Sequence, residues 1–485
     1  MRENLIIRTD ASAEIGTGHA MRCIALAQEW EAGGGNVEFV SATLPDAIIK
    51  RINEGGFSMH SLSSEPYTEH DASETVNRAK ELGASWVVVD GYNFSSEYQK
   101  SLKEHDTKVL FIDDYGHADH YFADLILNQN VYASEDLYKS RETETKLMLG
   151  TKFAVLRQEF ASGRSEKEIA PEAKRILVTL GGADPKNVTS KVIEALDVIN
   201  DLEIKIVVGG SNPNLDAVKS VCEGKPIDLI VDASNMRELM EWADIAVSGG
   251  GTTCYELACM GLPTATIILS DNQEKVALGM EEAGAAINLG WYTEVSPESL
   301  SQPLKQLIED NEKRASLSLA GKKLVDGFGA ARVCRTLANE KVWLRPANLG
   351  DAEMILEWTN DPENRAASFS SDLIELPDHI KWFKEKLNNP NNTFFIAHDE
   401  EGSPVGQIRF DQEGDAATIS VSIAPEHRGK GLGKAIIVLG SQHIFASTNV
   451  SHIDAYVKED NAASQAVFEK AGFEKKDSTH YILDS

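Results

Sequence analysis

Two kinds of stretch alternate along the first two thirds of the chain. Short apolar runs rich in Val, Ile and Leu predict buried strands, and longer stretches between them carry apolar residues at helical spacing. The strand runs are NLIIRTDAS, VEFVSA, WVVVDGY, KVLFIDD and DLILNQN, followed by RILVTLGG, IKIVVGG, IDLIVDA, ADIAVSGGG and PTATIIL. Continuous apolar strands separated by helices are typical of parallel sheets that are covered on both faces.

The two series of strands predict an α/β protein with two Rossmann-like lobes. We expect the first lobe over residues 1–160 and the second over 161–338, with the polar stretch SGRSEKEIAPEAK connecting them. Strands of the second series end in Gly, Asp or Ser, and open α/β sheets bind ligands outside the carboxyl ends of their strands. The pattern therefore predicts a ligand cleft between the lobes.

After residue 338 the pattern changes. Two helical stretches, DAEMILEWTN and LPDHIKWFKEKL, precede antiparallel-looking strands in TFFIAHDEEGSPVGQIRF and AATISVSIAP. A loop that opens a helix follows in EHRGKGLGKAIIVLGSQHIF. We expect a separate α+β domain over residues 339–485, and three folded units agree with ~100–200 residues per domain.

Composition and charge narrow the possible partners. The net charge of −29 disfavours binding to nucleic acid or to anionic membranes, which need clustered basic residues. Five cysteines without a C-x-x-C pair indicate reduced thiols in a cytoplasmic protein rather than zinc ligands or disulfides. No signal peptide or membrane span is predicted, and nothing in the sequence indicates an oligomeric state.

The stretch IGTGHAMRC places His19 between a glycine turn and a helix. Such a turn is compatible with a phosphate or sugar ligand, and equally with a tight turn that carries a surface histidine. The full G-x-G-x-x-G spacing is missing, which disfavours a nicotinamide site. An imidazole at the carboxyl end of a strand can act as a general base near neutral pH, and the adjacent helix N-terminus favours its neutral form.

A second glycine turn lies in ADIAVSGGGTTCYELACMGLP. Residues 249–252, including Gly250, Gly251 and Thr252, offer backbone N–H groups that suit a nucleoside diphosphate. Glu256, one turn into the following helix, can accept hydrogen bonds from ribose hydroxyls. The alternative is a plain glycine-rich turn with a solvated glutamate.

Several of these stretches together resemble a known family. RTDASAEIGTGHAMRC, VVVDGY, FIDD, LGTKFAVLRQEF, LGGADPKN and SGGGTTCYELACMGLPTATIILSDNQ cover most of residues 5–280. They are similar to the UDP-sugar hydrolases of pseudaminic acid biosynthesis, relatives of the two-lobed (GT-B) glycosyltransferases. The resemblance implies hydrolysis of UDP-2,4-diacetamido-2,4,6-trideoxy-β-L-altropyranose at its anomeric carbon, with inversion and without a metal.

The resemblance also implies roles for individual residues. The essential histidine of the family falls on His19, and Tyr92 matches another site residue that contacts the sugar or the water. Asp10 is a candidate partner of the substrate or of the histidine, and equally a cap of the turn. We expect further substrate contacts from Gly18, Arg22, Asn235, Met236, Asn272 and Gln273.

The last third of the chain carries a second signature. A loop with Arg428, Gly431 and Gly433 opens a helix and suits the pyrophosphate of coenzyme A, because the Gly-Lys-Ser/Thr ending of a triphosphate loop is missing. With DAYVKEDNAASQAVFEKAGF it resembles GCN5-related N-acetyltransferases, which implies binding of acetyl-CoA. The expected cofactor contacts are Val421, Ile423, Arg428, Gly429, Gly431, Gly433, Lys434 and Asn461.

One position departs from that family. Many members carry a tyrosine seven residues after the asparagine, where it protonates the departing thiolate, whereas this chain has Phe468. A phenyl ring has no proton to donate, so another group or water must serve. Candidate bases are His379, Glu426 and His427, although a structural or solvated role fits each of them as well.

The stretches LEWTNDPENRAASF and HIKWFKEKL resemble acetyltransferases that act on UDP-4-amino-4,6-dideoxy sugars. The two resemblances together predict a bifunctional enzyme that acetylates the 4-amino group and then removes UDP. Two alternatives stay open at this point. The lobes could form a glycosyltransferase that uses another acceptor, and the last domain could be a CoA-binding regulatory or protein-acetylating module.

Overall fold

The computed structural model describes residues 2–12, 15–161, 168–182, 184–210, 212–368, 372–400 and 402–485. Residues 162–167 of the predicted connection lie outside the described residues, as do two residues of the RTDASAEIGTGHAMRC stretch and one each of LGGADPKN and LEWTNDPENRAASF. The chain divides into two compact units, Met1–Cys334 and Arg335–Ser485.

The first sheet of unit 1 is parallel throughout. Its strand order is β3-β2-β1-β4-β5-β6-β7. The strands are β1 (Asn4–Thr9), β2 (Asn36–Ser41), β3 (Ser58–Ser61), β4 (Ala84–Asp90), β5 (Val109–Ile112), β6 (Leu125–Asn128) and β7 (Lys146–Leu149). The helices around it are α1 (Gly18–Ala32), α2 (Asp46–Glu54), α3 (Glu69–Leu82), α4 (Ser96–Lys103) and α5 (Gln158–Ala161). Short 3-10 helices span Glu135–Tyr138 and Thr151–Phe153.

The second sheet of unit 1 repeats this topology with the order β10-β9-β8-β11-β12-β13. Its strands are β8 (Arg175–Thr179), β9 (Glu203–Val208), β10 (Ile227–Val231), β11 (Ile245–Gly249), β12 (Thr264–Ile268) and β13 (Ile287–Trp291). The helices are α6 (Val188–Asp197), α7 (Leu215–Cys222), α8 (Met236–Trp242), α9 (Thr253–Met260), α10 (Asp271–Glu282), α11 (Pro297–Glu309), α12 (Asn311–Leu324) and α13 (Gly329–Ala338). The expected pair of Rossmann-like lobes is confirmed by the two sheets.

Burial explains why the strands contain so few polar residues. Leu5, Ile6 and Ile7 of β1 have no exposed surface, and the same holds for the Val87–Val89 stretch of β4. Helices cover both faces of these central strands, so neither face needs polar side chains. The strand order reverses between β1 and β4 and again between β8 and β11, which are the points where open α/β sheets bind ligands.

Unit 2 contains a mixed sheet with the order β14-β15-β16-β17-β18-β20-β19. The strands are β14 (Val342–Pro346), β15 (Asn392–Asp399), β16 (Pro404–Glu413), β17 (Ala416–Ile423), β18 (His452–Tyr456), β19 (Glu474–Lys475) and β20 (His480–Asp484). The helices are α14 (Ala352–Asn360), α15 (Pro362–Ala367), α16 (Leu376–Asn388), α17 (Leu432–Ser447) and α18 (Ala462–Lys470), with 3-10 helices at Leu349–Asp351 and Pro425–His427. The expected α+β acetyltransferase fold is confirmed.

The five cysteines are thiols and form no disulfide among the described residues. Within the described residues, none of the helices combines the length and apolarity needed to cross a bilayer.

Candidate active site

His19 lies at the start of α1, just beyond the carboxyl end of β1. The turn before it contains Gly16, whose φ of 82° lies in the left-handed region that favours glycine. The Gly16 N–H group donates to the carbonyl of Ser12 at 2.8 Å and closes the turn. His19 is then the second residue of α1, and its side chain is 6% exposed. The imidazole therefore lies at the carboxyl edge of the first sheet, beside the point where the strand order reverses.

The carboxylate of Asp90 fixes the orientation of this imidazole. Asp90 ends β4, has no exposed surface, and places Oδ1 2.7 Å from Nδ1 of His19. An ionised carboxylate accepts hydrogen bonds and donates none, so in the neutral imidazole the Asp90 contact requires the proton on Nδ1 and leaves Nε2 as an acceptor. Nη2 of Arg22 lies 3.0 Å from the same Nδ1 atom. Among the described residues, no hydrogen-bond partner of Nε2 is found.

Arg22 joins two carboxylates one helical turn after His19. Its Nε and Nη2 atoms donate to Asp90 at 2.6 and 2.7 Å, and its Nη1 and Nη2 atoms donate to Asp114 at 2.8 and 3.2 Å. Burial opposes ionisation of both carboxylates, but the Arg22 guanidinium outweighs it and holds the pKa of Asp90 and of Asp114 below the usual range. The guanidinium is buried and engaged by a carboxylate on each side, and the expected contact of Arg22 with substrate stays a prediction.

Tyr92 closes the other side of the His19 ring. Its hydroxyl donates to Oδ2 of Asp114 at 2.7 Å, and its ring meets the imidazole edge-on with centroids 4.5 Å apart. Burial and the Asp114 charge raise the pKa of Tyr92 well above its ordinary value, so the phenol stays protonated. The structure thus brings the rings of His19 and Tyr92 into contact.

Asp10 belongs to a different group of charges. Its Oδ1 accepts the backbone N–H groups of Ala42 and Thr43 at 2.7 and 3.0 Å, and its Oδ2 pairs with Arg8 at 2.7 Å. Arg8 also pairs with Asp71, whose Oδ1 accepts the hydroxyl of Tyr98 at 2.9 Å. We call Arg8, Asp10, Asp71 and Tyr98 the Arg8 cluster. Asp10 caps a turn there, and the carboxylate that pairs with His19 is that of Asp90.

The glycine turn of the second lobe connects β11 to α9. The Gly250 N–H group donates to Oε1 of Gln273 at 3.0 Å, and the same oxygen accepts the Leu269 N–H group at 3.2 Å. A Cβ atom on Gly250 would lie 2.9 Å from the Gln273 carbonyl, whereas one on Gly251 would have its nearest neighbour at 4.0 Å. Gln273, expected to contact substrate, therefore shapes the turn with its side-chain carbonyl and occupies one of the N–H groups expected to bind phosphate. Thr252 precedes the first helical residue and makes no side-chain cap.

The remaining residues expected to contact substrate lie in or next to α8, α9 and α10 of the second lobe and α1 of the first. Glu256 lies in α9 beside Arg157, with 3.3 Å between Oε1 and Nη2, and burial raises its pKa. Asn235 and Met236 start α8, where the Asn235 amide donates to Glu238 at 2.9 Å. Asn272 accepts the Ser270 hydroxyl at 2.6 Å near the start of α10. Gly18 begins α1 and is exposed.

Asp90, Asp114, Asn130 and Tyr255 complete the site and were not singled out from the sequence. Asp90 and Asp114 stand in the quoted stretches VVVDGY and FIDD, at the carboxyl ends of neighbouring strands. That position was a usable signal, because carboxyl ends of adjacent parallel strands meet at one sheet edge. Asn130 and Tyr255 carry no such local signal.

In unit 2, β17 separates from β18 after a short pairing. The ladder joins residues 416–418 of β17 to 452–454 of β18, and no further pair of these strands occurs within the described residues. Val421 and Ile423 lie on the separated part and pack against the core below α17 and α18. The gap leaves an open strand edge of the kind that accepts an extended ligand through backbone hydrogen bonds.

The glycine loop before α17 is open where a ligand would approach. Gly429 and Gly431 have φ values of 74° and 77°, and a Cβ atom on either would meet nothing within 4 Å. Gly433 has a different reason for lacking a side chain, since a Cβ atom there would lie 3.2 Å from Val467 of α18. Lys434 is exposed. The loop backbone and this open edge fit the pyrophosphate and pantetheine of coenzyme A.

Arg428 and Asn461 hold protein atoms instead of facing the gap with free side chains. The Arg428 guanidinium pairs with Asp361 and with Glu363, the latter at 2.9 Å, and its hydrogen bond lowers the pKa of Asp361. In this structure the guanidinium is engaged by carboxylates of the protein, and its expected contact with the cofactor stays a prediction. Asn461 accepts the Ser464 N–H group at 3.0 Å and caps α18.

Phe468 and the candidate bases of unit 2 take ordinary structural places. Phe468 is buried against Phe473, with ring centroids 5.1 Å apart. His379 is buried, and burial lowers its pKa. Glu426 is exposed and His427 partly so. Across the described residues no group of three or more His, Cys, Asp or Glu side chains is arranged to hold a metal ion.

Comparison with known families assigns the two parts of the chain. Residues 175–327 match the glycosyltransferase family 28 C-terminal domain. Residues 341–474 match the acetyltransferase (GNAT) domain. The second match supports use of acetyl-CoA.

Three relatives show how far the similarity extends. The chain is 30% identical to the spore coat polysaccharide biosynthesis protein SpsG of Bacillus subtilis over 256 residues, which cover 52% of this chain and 75% of that protein. It is 26% identical to UDP-2,4-diacetamido-2,4,6-trideoxy-beta-L-altropyranose hydrolase of Campylobacter jejuni over 283 residues, 58% of this chain and 97% of that protein. It is 24% identical to uncharacterized protein MJ1062 of Methanocaldococcus jannaschii, over 97% of this chain and 96% of that protein.

The SpsG match and the hydrolase match agree with the two lobes of unit 1, and the GNAT match agrees with unit 2. The chain is thus similar to the UDP-2,4-diacetamido-2,4,6-trideoxy-β-L-altropyranose hydrolase and belongs to the family of SpsG, in a form fused to a GNAT acetyltransferase domain.

Proposed function

We propose that unit 1 hydrolyses UDP-2,4-diacetamido-2,4,6-trideoxy-β-L-altropyranose to UDP and the free sugar. The observation that carries the proposal is the buried His19–Asp90 pair at the sheet edge where such folds bind ligands, with an Nε2 atom that has no hydrogen-bond partner among the described residues. The similarity to the Campylobacter jejuni hydrolase, which is named for this compound, supports this substrate.

In the proposed reaction His19 acts as the general base. Nε2 takes a proton from a water molecule while the water oxygen forms a bond to C1 of the sugar. The bond between C1 and the phosphate oxygen breaks, and UDP departs with both electrons of that bond from the opposite face, so the anomeric configuration inverts. Asp90 stabilises the imidazolium that forms, and the backbone N–H groups at the start of α9 would stabilise the departing diphosphate.

We propose that unit 2 acetylates the 4-amino group of the UDP-amino-sugar that precedes this substrate. The separated strands β17 and β18 and the open loop at Gly429 and Gly431 support binding of acetyl-CoA. The amine nitrogen attacks the thioester carbonyl, and the carbon–sulfur bond breaks. Water or a protein group passes the amine proton to the coenzyme A sulfur, which leaves as the thiol. The product would be the substrate of unit 1.

The hydrolase assignment is tested by incubating the full chain with the UDP-diacetamido-sugar and no acceptor. We expect UDP and free sugar in equal amounts from the wild-type chain, and none above background from His19→Ala. A glycosyltransferase would release little UDP until an acceptor is added and would then attach the sugar to that acceptor, so that outcome would replace the hydrolase assignment. Acetyl transfer by His19→Ala should equal that of the wild type.

The acetyltransferase assignment is tested with the UDP-4-amino-sugar and acetyl-CoA, following product mass. We expect the addition of one acetyl group to the sugar nucleotide, followed by UDP release. Binding of acetyl-CoA without transfer to the sugar nucleotide would favour a regulatory or protein-acetylating module.

A further inference from the structure

A series of hydrogen bonds links α9, the helix that follows the glycine turn of the second lobe, to the imidazole of His19 in the first lobe. Both lobes belong to unit 1. The series starts at Tyr255, which precedes Glu256 in α9, and it ends at His19. Each of its steps joins buried or largely buried polar atoms, where a hydrogen bond is stronger than in water and a lost partner is costly.

Tyr255 reaches across from the second lobe to the loop that follows β6. Its side chain has no exposed surface. Its hydroxyl donates to Oδ1 of Asn130 at 3.0 Å and accepts the Val131 N–H group at 3.2 Å. Burial raises the pKa of Tyr255 far above its ordinary value, so the hydroxyl keeps the proton that it donates.

The hydrogen bond from Tyr255 decides which way the Asn130 amide faces. With Oδ1 held by the phenol, Nδ2 donates to Oδ1 of Asp114 at 2.9 Å and to Oδ1 of Asn128 at 3.0 Å. Without the phenol, Oδ1 of Asn130 loses its hydrogen-bond donor, and the side-chain amide is held only through Nδ2. A less constrained amide donates less effectively to Asp114, which then draws more strongly on Arg22.

Arg22 carries that change to the imidazole. The same guanidinium holds Asp114 on one side and Asp90 on the other, and Asp90 orients His19. A shift of Arg22 toward Asp114 lengthens its hydrogen bonds to Asp90. The position of the imidazole therefore depends on a phenol that is attached to the nucleotide-binding helix.

We propose that Tyr255 is a positioning residue. Through Asn130, Asp114, Arg22 and Asp90 it couples the position of α9, which follows the glycine turn of the second lobe, to the orientation of His19. This inference rests on the proposed function only for its effect on turnover. The structural part, that removal of one hydroxyl in the second lobe changes the His19–Asp90 hydrogen bond in the first, stands apart from any reaction.

The structural part is tested by proton NMR of the full chain without ligand. The His19 Nδ1 proton, bonded to a buried carboxylate, should resonate far downfield and is identified by its loss in His19→Asn. We expect Tyr255→Phe to shift or broaden this resonance and Asn130→Asp, which places a second carboxylate beside Asp114, to change it more. An unchanged resonance in Tyr255→Phe, with melting temperature as in the wild type, would overturn the proposal.

Tyr98→Phe is the matched control. Tyr98 is also a buried tyrosine whose hydroxyl donates, and its acceptor is Asp71 of the Arg8 cluster. We expect Tyr98→Phe to leave the His19 resonance in place even if it lowers the melting temperature as much as Tyr255→Phe. An equal shift in both variants would indicate general loosening of the lobe and would overturn the specific role of Tyr255.

Kinetics supply the second test. We expect Tyr255→Phe to lower kcat for UDP release about tenfold while the KM for the UDP-sugar changes less than about threefold, since the group lost orients the base and does not touch the nucleotide. Wild-type kcat in Tyr255→Phe would contradict the proposal. A wild-type chain that hydrolyses no UDP-sugar would instead contradict the proposed function, and the NMR comparison would still decide the role of Tyr255.

Discussion

Replacing Asp90 by asparagine tests the chemistry of the His19 pair with little change in shape. The carboxylate of Asp90 accepts from His19 Nδ1 at 2.7 Å and from two nitrogens of Arg22 at 2.6 and 2.7 Å. An amide in its place has one acceptor oxygen and carries no charge. It can accept from His19 or satisfy Arg22, and it stabilises an imidazolium much less.

The size of the effect follows from burial. Asp90 has no exposed surface, and removing one partner of a buried ion pair costs about 3–5 kcal/mol. If the same amount is lost when His19 becomes charged in the transition state, kcat falls roughly 10²- to 10⁴-fold, at about 1.4 kcal/mol for each factor of ten. The KM should change little, because Asp90 lies behind the imidazole and has no surface for substrate.

Loss of stability could imitate this result, so the control must lose a similar ion pair elsewhere. Asp71→Asn does so in the same lobe, since Asp71 is equally buried and pairs with Arg8 at 2.8 Å. Initial rates of UDP release, measured well below both melting temperatures, should fall only in Asp90→Asn. Rates within a factor of three of the wild type in Asp90→Asn, or equal losses in both variants, would refute the reasoning.

Three further predictions concern the glycine turns and pH. Gly250→Ala should lower the melting temperature and weaken UDP binding because its Cβ would meet the Gln273 carbonyl at 2.9 Å, whereas Gly251→Ala should be stable; equal melting temperatures would contradict this. Gly431→Val, at a φ of 77°, should abolish acetyl-CoA binding by calorimetry and leave UDP release unchanged, and a parallel loss of both would argue against independent units. The stability that Asp90 contributes should be constant above about pH 5 and decline as pH falls through the ordinary aspartate range near 4, because its pKa is lowered in the folded state. Urea unfolding of wild type and Asp90→Asn should therefore converge in acid, and a stability difference that grows in acid would contradict the sign.

The strongly patterned part of the fold was predictable from the sequence. The central strands of both lobes are continuous apolar runs because helices cover both faces, and such runs stand out against polar turns. The short strands β3, with the sequence SMHS, and β7, with KLML, were missed. They lie at the edges of the first sheet, where exposed and polar residues weaken the apolar signal.

The site was predictable where a residue lies close to the end of a clearly patterned strand. His19 and Tyr92 sit beside strand ends and could be chosen from local pattern and resemblance. The contacts of Asp10 and Arg22 could not, because each side chain could reach several partners and only the folded chain selects among them. Tyr255 and Asn130 meet across 125 positions of sequence, so nothing in either stretch announces the hydrogen bond between them.

The sequence also could not show how Arg428 is used. A basic residue before a glycine loop indicates an anion, but Asp361, which caps α15, and Glu363 within α15 offer the guanidinium two carboxylates from 65 or more positions away. Gly433 is similar, since its lack of a side chain serves the packing of α17 against α18.

The account depends most directly on water attack at the sugar carbon beside His19. Hydrolysis of the UDP-diacetamido-sugar in ¹⁸O-water, followed by mass spectrometry of the released UDP, measures which bond breaks. The account predicts UDP without ¹⁸O from the wild-type chain and no UDP from His19→Ala. UDP that carries one ¹⁸O, or unlabelled UDP released as fast by His19→Ala, would contradict it.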